Sequence, residues 1–126
     1  MPPKPSPTLT EAELRLMKLL WERGGESTVS ELVAALPRGS ELAYTSVLTT
    51  IKILEQKGYV KHRKEGRAFL YTPVVARQDA AASAVRHIVQ RFFNNSREQL
   101  LASLLGDGGL TAEELKRLKR RIAEAE

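Results

Sequence analysis

Tyr59-Val60-Lys61-His62-Arg63-Lys64-Glu65-Gly66-Arg67-Ala68-Phe69-Leu70-Tyr71 departs from the helical rhythm of the sequence on either side of it. Up to Gly58 the apolar residues return every three or four positions. From Tyr59 to Arg63 and from Ala68 to Tyr71 the period falls to two, with a turn around Glu65-Gly66 between the segments. This predicts a short antiparallel hairpin, ended by Pro73, inside an otherwise helical chain. Between Lys57 and Arg67 stand five basic residues, Lys57, Lys61, Arg63, Lys64 and Arg67, against one acid, Glu65. A hairpin so charged can grip phosphates. The plainer reading is a sheet edge kept soluble by lysine.

Working back from the hairpin, a helix is expected from about Glu41 to Lys57, closed by Gly58, with Val47, Leu48, Ile51 and Leu54 on its apolar side. Its other side carries Thr45, Ser46, Thr49, Thr50 and Lys52: many hydroxyls, little charge. Such a face suits a DNA major groove, where Thr and Ser reach base edges and thymine methyls. Two shorter start signals precede it. Thr10-Glu11-Ala12-Glu13 is a capping box, flanked by Leu9 and Leu14 as a hydrophobic staple. It opens a helix with the stripe Leu14, Met17, Leu20 and Trp21, stopped at Gly24-Gly25. Thr28-Val29-Ser30-Glu31 repeats the box before Leu32, Val33 and Leu36, and Pro37 ends that helix after about two turns.

Helix, short helix, loop, longer helix and hairpin is the order of a winged helix-turn-helix. Phosphate grip falls to the hairpin and base reading to the third helix. Each feature alone has a bland explanation; taken together, helix order, hairpin position and charge placement favour DNA binding.

Beyond Pro73 the pattern is helical again. Helices are expected from about Arg77 to Phe93, with the stripe Ala81, Val85, Ile88, Val89 and Phe92, then from Ser96 to Leu105, and then from Thr111 towards the end, with capping boxes at Ser96-x-x-Gln99 and Thr111-x-x-Glu114. The 53 residues from Val74 to Glu126 are too few to bury a core alone. Val85, Ile88, Val89, Phe92, Leu101, Leu104, Leu105 and Leu118 are therefore expected to pack against a second copy across a twofold axis. The run Lys116-Arg117-Leu118-Lys119-Arg120-Arg121 is expected to be a solvated face, paired with Glu113 and Glu114 and favoured by the helix dipole.

The fold class is thus mainly α with a small β-hairpin: a winged helix-turn-helix lobe followed by a helical dimerisation lobe. The expected divisions are a disordered proline-rich leader at 1–7, a DNA-binding domain at 8–73 and a dimerisation domain at 74–126. The 126 residues exclude a large multidomain enzyme, and no apolar run is long enough to span a bilayer. The leader lacks the apolar stretch of a secretory signal, so a cytoplasmic location is expected. With no cysteine, disulfides, thiolate metal sites and cysteine nucleophiles are excluded together. His62 and His87 lack metal-ligand spacing and read as ordinary surface or packing residues. Neither a phosphate loop nor a nucleophile with its base is present, so neither catalysis nor a cofactor is expected. A net charge of +5 and a pI near 9.7 favour a polyanionic partner.

Four stretches carry a family resemblance: Leu9-Thr10-Glu11-Ala12-Glu13 with Met17 and Trp21; Leu42-Ala43-Tyr44-Thr45-Ser46-Val47-Leu48-Thr49; Leu54-Glu55-Gln56-Lys57-Gly58; and Glu65-Gly66-Arg67-Ala68-Phe69-Leu70-Tyr71-Thr72-Pro73. In this order they resemble the penicillinase repressor family, the BlaI/MecI/CopY group of bacterial transcriptional regulators, from about Thr8 to the last helix. The resemblance implies a homodimeric repressor on a palindromic operator, controlling a stress or antibiotic-response gene. It implies DNA contacts from Tyr44, Thr45, Ser46, Thr49 and Lys52 on the helix and from Lys64, Gly66 and Arg67 on the wing. Tyr44 also lies near the apolar stripe, which leaves a core role open beside a DNA contact.

The chain departs from the family at Ile53, where arginine is common; Ile53 falls on the polar side of the helix. The cysteine cluster of copper-responsive members is absent. The Asn-Phe bond cleaved in β-lactam-responsive members has only Ser103-Leu104 as its nearest counterpart, so the inducing signal is open, with a membrane sensor protease acting indirectly as one candidate partner. The competing reading is a winged-helix protein-docking module without specific DNA binding.

Overall fold

A computed structural model describes residues 8–37, 43–106 and 108–125. The expected leader at 1–7 lies outside the described residues, as do Glu41 and Leu42 at the expected start of the third helix. The elements are α1 (Glu11–Arg23), α2 (Val29–Ala35), α3 (Tyr44–Gln56), β1 (Val60–Glu65), β2 (Ala68–Pro73), α4 (Arg77–Phe92), α5 (Arg97–Gly106) and α6 (Ala112–Ala125). The order is that of a winged helix followed by three helices. The residues form two compact units that divide between Ala84 and Val85, inside α4. No helix among the described residues is long and apolar enough to cross a membrane.

Both N-terminal capping boxes form. Thr10 N–H donates to Glu13 Oε1 at 2.8 Å while Glu13 N–H donates to Thr10 Oγ1 at 3.2 Å, and Thr28 and Glu31 repeat the exchange at 2.9 and 3.1 Å. Each pair satisfies two backbone donors that a helix start leaves orphaned. The core of the first unit joins Leu16, Met17 and Leu20 of α1, Leu32 of α2, Val47, Ile51 and Leu54 of α3, Tyr59 just before β1 and Tyr71 of β2.

The stripe expected on α1 is rotated in the structure. Leu16 belongs to the buried face, whereas Leu14 and Trp21 are only half-buried on its flank, where the Trp21 indole donates to the Val75 carbonyl at 2.9 Å. The reason is Glu13, which is 4% exposed and occupies part of the face that packs inward. Lys57, at the end of α3, meets it there: Lys57 Nζ donates to Glu13 Oε1 at 2.7 Å and to the Thr8 carbonyl at 3.3 Å.

Burial pushes the Glu13 carboxyl up, but the hydrogen bonds from Lys57 and Thr10 and the lysine charge outweigh it and hold the pKa below its ordinary 4.5. A depressed carboxyl contributes stability above its unfolded pKa and loses it as pH falls through the folded value. Lys57→Met should therefore lower unfolding stability by about 2 kcal/mol at neutral pH. That is less than for a fully buried pair, because the Lys57 side chain is 26% exposed. Urea titrations should show the gap between variant and parent narrowing below pH 4.5; a gap independent of pH would mean that the ion pair is not its source.

The hairpin pairs Val60 with Pro73, Lys61 with Thr72, His62 with Tyr71, Arg63 with Leu70, Lys64 with Phe69 and Glu65 with Ala68. This leaves a two-residue turn at Gly66-Arg67. Gly66 has φ +61° and Arg67 is not left-handed, the pattern of a type II′ turn, in which glycine takes the first central position. Ser27 adds a bridge that the periodicity did not foretell: its N–H and carbonyl exchange hydrogen bonds with Tyr71 at 3.0 and 2.8 Å.

In the second unit, Gln99 N–H donates to Ser96 Oγ at 3.1 Å, and Thr111 and Glu114 complete a capping box at 3.0 and 3.1 Å. No described residue of α5 or α6 is buried. The pairing expected for the basic run of α6 does not form: no ion pair of α6 occurs among the described residues, and Glu114 serves the cap instead. Nor does the helix dipole favour the run, since no basic residue stands in the last turn. Lys116, Arg117, Lys119, Arg120 and Arg121 are simply exposed.

Candidate nucleic-acid interface

α3 buries Val47, Ile51 and Leu54 and turns Thr45, Ser46, Thr49 and Lys52 outwards, all exposed. The hydroxyls of Thr49 and Thr50 donate to the carbonyls of Thr45 and Ser46, each at 2.9 Å. With its proton so used, the Thr49 oxygen offers lone pairs, which suit an exocyclic amine of adenine or cytosine, and its methyl suits thymine. Tyr44 is 49% exposed, which rules against a core role. Ile53 is 38% exposed, on the polar side as expected.

Period-two alternation divides the hairpin's cations. Lys61, Arg63 and Glu65 share one face. His62 and Lys64 share the other with Phe69 and Tyr71. Arg63 is taken up on its own face by Glu26, with Arg63 Nη2 donating to Glu26 Oε1 at 2.8 Å, Nε to the other carboxylate oxygen, and Nη2 also to Glu65 at 3.0 Å. Hydrogen bonding to Glu26 pushes the guanidinium pKa up, and Arg63 holds the Glu26 carboxyl below its ordinary range. Lys57 is likewise committed, to Glu13. Of the five basic residues, Lys61, Lys64 and Arg67 are left without an ion pair among the described residues.

The structure brings Arg67, at the wing tip, together with Tyr44 and Lys52 of α3 around a cleft of about 500 Å³. Thr45, Ser46, Thr49 and Lys64 do not line it; Lys64 Nζ lies 6.0 Å from the Phe69 ring centre. Charge counting missed the post that ties wing to helix. His62 Nδ1 donates to the Glu55 carboxylate of α3 at 2.6 Å, and its ring meets Phe69 edge-on at 5.3 Å and Tyr71 at 5.4 Å. The alternation along β1 sets His62 on the face away from Arg63, but nothing local in the sequence points to Glu55 as its partner. His87 is half-buried, with Nε2 unpartnered among the described residues. No cluster that could hold a metal ion occurs among them.

Of the residues expected at a dimer interface, Phe92 is 69% exposed, and Val85, Ile88, Leu104 and Leu105 are exposed as well. Leu101 and Leu118 are half-buried. Val89, at 5% exposure, is already covered by its own chain and offers little surface.

The sequence profile described as penicillinase repressor matches residues 9–124. The chain is 29% identical over 121 residues to the penicillinase repressor of Bacillus licheniformis, an alignment covering 96% of this chain and 94% of that protein. It is 33% identical over 119 residues to the transcriptional regulator BlaI of Mycobacterium tuberculosis, covering 94% and 85%. Its fold is similar to the solution structure of the DNA-binding domain of the repressor BlaI, with TM-score 0.53 and 32% identity over 61% of this chain and 93% of that one. It is also similar to the monomeric form of Bacillus licheniformis BlaI in complex with the blaP half-operator, with TM-score 0.50 and 32% identity over the same shares of the two chains.

Proposed function

The chain belongs to the penicillinase repressor family of winged-helix DNA-binding transcriptional regulators, and from that membership we infer that it represses transcription as a homodimer bound to a palindromic operator. The observation that carries this reading is the outward face of α3. Its hydroxyls stand exposed beside a wing whose tip arginine has no ion-pair partner among the described residues, an arrangement with no use inside the chain. Thr45, Ser46 and Thr49 read base edges, Tyr44 and Lys52 flank them, and Lys64 and Arg67 hold phosphates. The structure of a relative with a half-operator fits an operator made of two halves.

Residues 8–73 supply the DNA contacts and 74–126 the dimer, with Val85, Ile88, Phe92, Leu104 and Leu105 across the twofold axis. The first turns of α4 stay with the DNA-binding core, since Ala80 packs into it. The regulated gene belongs to a stress or antibiotic response.

Selection of bound duplexes from a random pool tests this. The full chain should enrich an inverted repeat with half-sites about one helical turn, roughly 34 to 36 Å, apart. A pool that stays random after repeated rounds would leave the protein-docking reading in its place. Arg63→Ala should loosen the wing without altering the salt slope of binding, because its charge is already matched by Glu26 and Glu65.

A further inference from the structure

α1 and the start of α4 do not close on each other. Where bulky side chains would normally interdigitate, α4 presents Ala80, Ala81 and Ala84 towards Leu14 and Trp21, and an apolar pocket of about 330 Å³ remains, with Tyr59 also in its wall. It is a groove open to solvent on one side: Lys18, Arg77 and Ala81 of its lining are exposed, Leu9, Leu14, Trp21 and Ala84 are half-buried, and Tyr59 and Ala80 are buried. Its nine lining residues all belong to the first unit. Two of them are charged, Lys18 and Arg77, and both are cations. Both are exposed, and neither is in an ion pair among the described residues. No acid lines the pocket.

An occupant must therefore match apolar walls and a positive rim together. We propose that this pocket binds a small free amphipathic anion, an aliphatic monocarboxylate of about 8 to 12 carbons, a size that suits a cavity at the small end of ligand sites. The chain lies between Trp21 and the α4 alanines, and the carboxylate meets Lys18 and Arg77. A neutral or cationic molecule of the same apolar size would gain the walls but not the rim. This site is separate from the DNA-facing residues and does not depend on the repressor reading.

Trp21 is the only tryptophan of the chain, so its emission reports on the pocket. The full-length protein is titrated with octanoate and, in parallel, with octyltrimethylammonium, which has the same tail and the opposite charge. Octanoate should give a saturable change of Trp21 emission, with at least about tenfold tighter binding than the cation. The double charge reversal Lys18→Glu/Arg77→Glu, at exposed positions that folding does not need, should weaken octanoate by about tenfold or more and favour the cation. Ala84→Phe should fill the pocket and abolish the response, with circular dichroism confirming its fold.

Equal binding of the two probes, or octanoate affinity untouched by the charge reversal, would overturn the proposal. So would an emission that answers to protein concentration and not to octanoate, since the pocket would then be covered by a second copy of the chain.

Discussion

A chain ending at Ala84 should fold, sediment as a monomer and lose about 10²- to 10⁴-fold of its operator affinity, the range by which a tethered second contact raises binding. The end is placed at Ala84 because Val75 accepts the Trp21 indole hydrogen bond and Ala80 belongs to the core; ending at Pro73 would strip both. What is removed stabilises little within one chain. α5 and α6 bury no described residue, and Val85, Ile88, Phe92, Leu104, Leu105 and Ile122 stand exposed. Covering each such side chain against a partner gains roughly 1.5–3 kcal/mol, enough in sum for a stable pair. Phe92→Asp in the full chain should mimic the truncation, since a charge there would be buried unpaired in the interface. Sedimentation beside a gel shift on the palindrome checks both. A full chain that is monomeric at micromolar concentration, or a truncated one that binds as tightly, would remove the dimer from the account.

The double variant Lys64→Ala/Arg67→Ala should weaken binding to every duplex by a similar factor. Each phosphate contact contributes about 0.9 to the slope of log affinity against log salt, so a dimer that loses four contacts should lose about 3.6 from that slope and roughly 10²- to 10³-fold in affinity at physiological salt. Lys61→Ala, on the opposite hairpin face from Lys64, serves as the internal control. Anisotropy titrations across a salt series separate them; an unchanged slope in the double variant would put the phosphate grip elsewhere.

Much of this architecture was legible in the sequence because its signals are local. The boxes at Thr10 and Thr28 and the glycine at the hairpin turn each act over three or four residues, and each forms as read. What was not legible depends on partners far along the chain. Lys57 and Arg63 count as basic-patch charges until Glu13, 44 residues away, and Glu26, 37 residues away, are seen to take them. The same long-range pair rotates the buried face of α1 towards Leu16, which a helical wheel of apolar residues alone cannot show. His62 looked ordinary because its partner Glu55 lies on another element, and only the register of the folded hairpin sets it beside Phe69 and Tyr71. Ile53 is exposed as the wheel implied, and no contact in the structure explains why an apolar residue stands there.

Whether α3 reads bases while the wing holds phosphates is decided by the ratio of specific to random affinity in two single variants. Anisotropy titrations should compare the selected palindrome with a scrambled duplex of equal length at one salt concentration. Thr49→Ala should lower the ratio by about tenfold per half-site, the usual cost of one mismatched base pair, and leave random binding nearly unchanged. Arg67→Ala should lower both affinities and leave the ratio intact. If both variants change the ratio alike, or neither changes it, helix and wing do not divide the work, and the outward face of α3 is not the reading surface.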